Sequence, residues 1–420
     1  MNRVKQIKGG ALQFVLLIGT LIALILLSFI LLHQTHVFFD KRTSKTIDLI
    51  HKTEHGLWNA MNLSIVPSDS IKLHLDTTDD IAVYASKRYW GVFEFYTISS
   101  RFKKIAFTKT ALIGGQRKPD APALYLQDGN RPMVICGNSK ITGDAYLPKQ
   151  GIKPGSIGGI FYTYSSPIFG QKKTSQTTLP QINKDIRKSI QGLLGISENT
   201  FVKNEIDISK NRSYINSFQS KTKYVLGNII RLSNVRLRGN IVVSATQQII
   251  VEQDCDLRDI ILCAPRIIIE DGFTGSLQAI SNNKIQIGKS VMLNYPSALT
   301  VEHGGLMNTK NSMDPNITVG PGSLIQGTVS YFNKSEEKTF YPQILISKNA
   351  SITGEIYCEK NLELKGSISG TVLTNSFVTL ENGNVYQNHL NGGIINAEQL
   401  PIEYSGLLLD NKKGVVKWLY

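Results

Sequence analysis

One short step recurs through the second half of the chain: an apolar residue, any residue, glycine, any residue, an apolar residue. It stands as Leu237-Arg-Gly239-Asn-Ile241, Phe273-Thr-Gly275-Ser-Leu277, Ile325-Gln-Gly327-Thr-Val329, Ile352-Thr-Gly354-Glu-Ile356 and Ile368-Ser-Gly370-Thr-Val372. Gly354 and Gly370 lie 16 residues apart, and Gly239 and Gly275 lie 36 apart, which fits two periods of about 18. The gaps of 52 and 27 residues between the others require inserted loops, and "GLMNTKNSMDP" and "YFNKSEEKTFYP" are well placed to supply them. A period of this size built from brief strands is the signature of a solenoid. Inward Ile, Leu and Val would stack between successive turns of chain, with polar residues alternating outward. Glycine would take the corner, where the backbone bends sharply and can need positive φ. A parallel β-helix over residues 223–400 is therefore expected. A further copy, Ile141-Thr-Gly143-Asp-Ala-Tyr146, lies far upstream and reads either as a similar turn or as a chance recurrence.

The N-terminal segment imposes a second constraint. Residues 9–32 carry no charge, and the 22 residues from Ala11 to Leu32 would span about 33 Å as a helix. A bilayer core is about 30 Å thick, so residues 10–33 are expected to cross it once, behind a cytoplasmic leader of residues 1–9. The run passes into "HQTHVFFDKRTS" without a small-x-small cleavage site, which favours an anchor over a signal peptide. Arg3, Lys5 and Lys8 precede the span, and Lys41, Arg42 and Lys45 follow it. The charge bias and the common arrangement of anchored exported proteins place the N-terminus in the cytoplasm and the remainder in the periplasm, across the inner membrane. A helical period persists through Ile47, Ile50, Trp58, Met61 and Leu63, so residues 34–64 read as a helical extension.

Between helix and solenoid, "SIKLHLD", "IAVYASK", "WGVFEFYTIS" and "KKIAFTKTALIGG" alternate with period two and are broken by turn residues. They predict a β-rich domain over 65–175. Residues 176–222 read as a linker holding one amphipathic helix, with Ile182, Ile186, Ile190 and Leu193 on one side and Gly195 as its stop. At the end, "EYSGLLLD" and "GVVKWLY" flank "NKKG" and predict a hairpin over 401–420, capping an open sheet end with Trp418. The fold class is thus mainly β: a transmembrane helix, a small β-rich middle domain and a parallel β-helix.

Two resemblances attach to these residues. The basic leader followed by "KGGALQFVLLIGTLIALILL" resembles the type IV pilin and pseudopilin class, in which a peptidase cuts after a glycine and the mature fifth residue is usually glutamate. Cutting after Gly9 puts Phe14 at that position, and cutting after Gly10 puts Val15 there, so the glutamate is missing. The stretch "SITGEIYCEKNLELKGSISGTVLTNSFV" resembles the bactofilins, which implies a right-handed β-helix and end-to-end assembly. The chain as a whole resembles single-pass envelope proteins of Bacteroidota, on "KITGDAYLP" and the anchor together.

Chemistry-bearing residues are sparse. Glu252, Asp254 and Asp256 in "VEQDCDLRD" would line one strand face beside Arg258, an arrangement that a β-helix lyase or hydrolase acting on polysaccharide needs. A hydrated corner is the competing reading. His303 and His389 stand singly in glycine- and asparagine-rich loops. His51 and His55, with Glu54 between them, lack a third ligand and read as a solvated helix face. "GIKPGSIGGIFYTY" has neither the strand-to-helix context nor the lysine of a phosphate loop and reads as a turn-rich loop. Cys136, Cys255, Cys263 and Cys358 form no zinc spacing and read as buried apolar residues. No catalytic, cofactor or metal residue is assigned. The chain's 46 Lys and Arg against 32 Asp and Glu give a net charge of +14. An anionic glycan or DNA is therefore one partner class, alongside the bilayer at residues 10–33 and protein partners or self-association in the envelope. The reading as a whole is a membrane-anchored structural or binding protein of the cell envelope, a component of a pilus-like or secretion-type assembly.

Overall fold

The computed structural model describes residues 10–67, 69–75, 80–196, 204–304, 314–333, 335, 337, 339–409 and 412–419. The expected leader, 1–9, lies outside them. The chain is mainly β, with one long apolar helix at its start and a large parallel sheet, and it divides into two compact units. The first comprises Met1–Ile65, Asp69–Ser86 and Ile98–Lys109, and the second Val66–Ser68, Lys87–Thr97 and Thr110–Tyr420.

In the first unit, α1 runs unbroken through Gly10–Asn62, so the expected span and its extension are one helix. Its apolar window, of mean hydropathy 3.1, is 0% buried, and by length and composition it can cross a membrane. Burial begins at Leu49 and follows one face: Leu49, Thr53, Gly56, Leu57, Ala60 and Met61. This is not the face expected from the large residues, because Ile47, Trp58 and Leu63 are exposed. Small residues decide the contact. A Cβ on Gly56 would lie 2.9 Å from Val83 Cγ1 and 3.0 Å from Ile98 Cγ2, so the helix backbone rests directly on the strands. Thr53 Oγ1 and Ser100 Oγ share a buried hydrogen bond of 2.7 Å, and Lys109 pairs with Glu54 at 2.7 Å. Strand Ser70–Leu73 pairs antiparallel with residues 83–86 of strand Ala82–Trp90 in this unit. Strands Phe93–Phe102 and Ile105–Gln116, each assigned partly to the second unit, follow in the same sheet, as the period-two alternation predicted.

The second unit is dominated by parallel pairing. From Ser213 onward the chain visits three ladders in rotation, each strand pairing with its counterpart one turn later. Five isoleucines stand in register down one ladder, Ile325, Ile352, Ile368, Ile395 and Ile141, all fully buried. Burying each side chain contributes roughly 1.5–3 kcal/mol. Another ladder stacks Val329, Ile356, Val372, Leu124 and Ala145. The expected insertions fall between ladder strands, His303 to Ile317 and Asn333 to Ile344.

These registers revise the domain boundaries. Residues 124–174 do not close a separate middle domain: Val372 pairs with Leu124, Leu390 with Ile135, and Ile395 with Ile141. The upstream segment therefore continues the sheet beyond the point where residues 397–419 leave it, and strand Lys172–Thr174 is its last member on that ladder. The copy of the step at Gly143 is neither chance nor a separate turn. It has φ +112 and belongs to the same series. The copy at Gly275 is out of phase, pairing with Leu293 in the isoleucine column.

Two further expectations fail because both segments dock on distant strands, which their local sequence does not reveal. The helix of the supposed linker, α2 (Lys184–Leu194), is capped by Asn183, whose Oδ1 accepts from Asp185 N–H at 2.9 Å. It buries Ile186 and Ile190, as its spacing predicted, in a cluster with ladder residues Ile261, Ile280 and Phe332. The segment 401–420 does not form a hairpin over a sheet end. Ser405–Gly406 and Lys413–Leu419 each pair antiparallel with Ile105–Gln116, and Trp418 lies opposite Ala111. Instead, Ile206, Ile208 and Tyr214 pack on the core beside its first strands, and Ile152 and Tyr162 beside its last.

Candidate functional site

The carboxylates singled out in the sequence do not share a strand face. Glu252 follows the strand Ile241–Val251, Asp254 sits in a turn, and Asp256 opens the strand Asp256–Cys263. Each charged group is engaged by its own partners. Arg231 reaches Glu252 at 2.5 Å and Glu270 at 3.6 Å. Ser233 donates to Asp254 at 3.4 Å. Asp256 is held by Arg236 at 3.2 Å, by Arg258 at 3.1 Å and by Arg238. Hydrogen bonds from Ser233 and Arg231 hold Glu252 below the usual carboxylate range, and Arg238 does the same for Asp256. A general acid needs the opposite shift.

The histidines are equally dispersed. His303 stacks on Tyr331 at 6.4 Å, with its buried Nδ1 unpartnered. His389 Nδ1 meets the Gln387 carbonyl at 2.6 Å, and His51 and His55 are exposed on α1. All four cysteines are buried with free thiols, and burial pushes Cys263 and Cys358 up to about 12. Among the described residues, no group of three or more His, Cys, Asp or Glu side chains is placed to hold a metal ion. An open groove of about 570 Å³, lined by Gln253, Arg266, Glu270, Asp271 and Gln286, runs over the outer side of one ladder.

Buried charge gathers instead on the outward side of the ladder containing Glu302, Phe332, Glu355 and Glu359, where other segments of the same unit cover it. Arg187 of α2 places Nε 2.9 Å from Glu302 Oε2 and Nη1 3.1 Å from Glu359 Oε1, with its guanidinium 5.1 Å from the Phe332 ring centroid. Gln191 donates to Glu302 at 3.0 Å, and the Asn333 N–H donates to Glu359 at 2.6 Å. Burial raises the Glu359 carboxyl against the pull of Arg187. One planar fork shared by two carboxylates balances only one of their charges, with the Gln191 and Asn333 donors assisting, and its geometry fixes the helix in register.

Glu355 is different, because no cation among the described residues pairs with it. Its Oε2 accepts from the Leu407 N–H at 2.8 Å, and a Cβ on Gly406 would lie 2.3 Å from that oxygen. Tyr404 donates to the Gly327 carbonyl at 3.0 Å and Tyr295 to the Ser405 carbonyl at 2.7 Å, fixing the segment that covers it. Burial pushes Glu355 up to about 7. Its register partner Thr328 has a buried hydroxyl with no hydrogen-bond partner among the described residues. A third cluster sets Glu94 between Lys87 at 2.7 Å and Lys413 at 2.8 Å, with Lys413 also donating to Tyr96 at 3.0 Å.

Sequence reasoning missed these clusters because their members are scattered over more than 300 residues. The one available signal was a carboxylate inside the recurring step, Gly354-Glu355, where most copies carry a neutral residue. Chemically the clusters join layers of the same unit. The chain matches no family model, no curated protein and no solved structure.

Proposed function

We propose that the chain is a single-pass, membrane-anchored structural or binding protein of the bacterial cell envelope. Its three ladders wind as a right-handed parallel β-helix that serves as scaffold or recognition surface. The observation that carries this reading is the division of α1: its apolar window is wholly uncovered, while its last turns, from Leu49 onward, are packed on strands of its own unit. An uncovered helix of this hydropathy is stable in lipid and costly in water. In the proposed arrangement the N-terminus is cytoplasmic and the sheets lie in the periplasm, across the inner membrane. The continuous α1 passing onto a sheet supports the pilin-like reading, as a component of a pilus-like or secretion-type assembly. Packing of Ile206, Ile208 and Tyr214 at one end of the core and of Ile152 and Tyr162 at the other supports a β-helix that ends within its own chain. It thus displays its sides rather than stacking end to end. Arginine engagement of Glu252 and Asp256 supports a structural role over a polysaccharide lyase or hydrolase.

Protease protection of a C-terminally tagged chain tests the reading, comparing intact cells, spheroplasts and lysed cells. Digestion in spheroplasts before lysis is expected. Survival until lysis reverses the orientation and favours a cytoplasmic, membrane-tethered scaffold.

A further inference from the structure

We infer that the last turns of the parallel sheet carry a second membrane contact, in which the hairpin within residues 155–169 inserts its tip into an anionic lipid surface. The tip strand, Ile160–Phe161, pairs only with Ser156–Ile157 across a Gly158-Gly159 turn. Ile160 is 61% exposed and Phe161 71%, the highest value of any large apolar side chain among the described residues. Consecutive residues of a strand point to opposite faces, so exposure of both leaves each face of the tip largely open to solvent. Its close approaches to the body are at Gly137, where a Cβ would lie 3.7 Å from Ile160 Cγ2, and at Asn382, whose Nδ2 lies 4.0 Å from a Cβ on Gly158. Its root is firm. Ile157 is buried, Gly155 N–H donates to the Ile135 carbonyl at 2.9 Å, and Thr163 N–H donates to the Gly137 carbonyl at 3.1 Å. Exposed Tyr164 and Phe169 flank the tip, with Lys140 Nζ 5.8 Å and 5.0 Å from their ring centroids.

Charge selects the occupant. Residues 131–175 hold Arg131, Lys140, Lys149, Lys153, Lys172 and Lys173, against the single carboxylate Asp144, which is itself paired with Lys173 at 2.8 Å. An exposed apolar tip on a segment with six cations and one carboxylate, and with Lys140 against its neighbouring rings, matches the boundary between acyl chains and anionic headgroups. A glycan platform would instead present one flat ring face over a supported sheet. A second copy meeting this surface symmetrically would set like charges against each other. The contact is separate from α1 and goes beyond the anchor reading.

The test uses the full chain, carried in phosphatidylcholine nanodiscs, with an NBD fluorophore on Phe161→Cys; the native thiols are buried and stay unlabelled. Adding vesicles that contain phosphatidylglycerol should blue-shift the emission and raise it several-fold. Nitroxide acyl chains should then quench it, and Lys149→Glu/Lys153→Glu/Lys172→Glu should cut the rise by more than half. Quenching by acyl chains of an anionic disc supports the same contact within one bilayer. The inference is overturned if no acyl chain quenches the fluorophore in either setting. It is also overturned if dextran sulfate or raised protein concentration alone reproduces the response. Ile160→Ser/Phe161→Ser, which touches no core residue, should abolish vesicle capture with an unchanged circular dichroism spectrum; capture that persists with this variant counts against insertion.

Discussion

The carbonyl oxygen of Gly354 occupies the place where Gly370 would carry a side chain, since a Cβ built on Gly370 would lie 1.8 Å from it. Gly354 stands in the same relation to Gly327, at 2.0 Å, and the three are direct register partners with φ of +142°, +141° and +149°. Each turn of chain thus packs its backbone into the space left by the missing side chain of the next. Gly370→Ala should lower stability by at least about 3 kcal/mol, because it adds a backbone clash to a disfavoured φ. Gly129→Ala, with nothing within 4 Å, should cost little. Thermal unfolding of the detergent-solubilised chain, followed by tryptophan fluorescence, measures both. Equal midpoints for the two variants would remove the packing argument.

Glu355 should make stability fall as pH rises. Its pKa is raised from 4.5 to about 7, so the folded state holds a proton that the unfolded chain releases. The cost is absent below pH 4.5, grows between pH 4.5 and 7, and is constant above. Glu355→Gln keeps an acceptor for the Leu407 N–H and removes the titration. It should match the native chain at pH 4.5 and exceed it by up to roughly 3 kcal/mol at pH 8. An identical difference at both pH values would show that ionisation is not involved.

Arg187 is the sole cation between Glu302 and Glu359 within 4.0 Å of either among the described residues. Arg187→Ala should cost about 3–5 kcal/mol by leaving the buried Glu302 and the largely covered Glu359 without a counter-charge. Arg187→Lys should recover only part of this, since an ammonium cannot serve both carboxylates bidentately. Hydrogen exchange in α2 is the direct readout. Full recovery by lysine would mean that charge alone, without the planar fork, holds the helix.

The four thiols should be inert in the folded protein. Cys136, Cys255, Cys263 and Cys358 are buried, and burial raises the pKa of each, to about 11 for Cys255. Maleimide should label none of them at neutral pH and all four after denaturation. Prompt labelling of any one in the native state would show that its turn of the sheet opens locally.

Legibility followed the range of the interactions. The apolar run of α1 was plain because the 24 uncharged residues 9–32 need no partner to be recognised. Its packed face was misjudged because Gly56 and Ala60 look featureless in sequence, yet they let the backbone approach Val83 and Ile98. The recurring step identified strands, corners and buried positions such as Ile325, Ile352 and Ile368. It left open where Ile141 belongs, since a register between residues 250 positions apart leaves no local trace. Glu252, Asp254 and Asp256 looked collinear because the turn at residues 253–254 was read as strand. Arg187, Glu302 and Glu359 carried no pattern at all.

Composition and period, then, determined an apolar helix long enough for a bilayer and a chain of short strands whose Ile, Leu and Val turn inward. These follow from side-chain hydrophobicity and backbone geometry, which act over a few residues. Only the tertiary structure decided that residues 124–174 complete the parallel sheet begun at Ser213, that α2 is bolted to it by Arg187, and that Glu355 is buried with no cation among the described residues paired to it. Those outcomes depend on which distant backbones share hydrogen bonds and on which charges are taken out of water together. Both are set by the packed whole and by no single stretch of sequence.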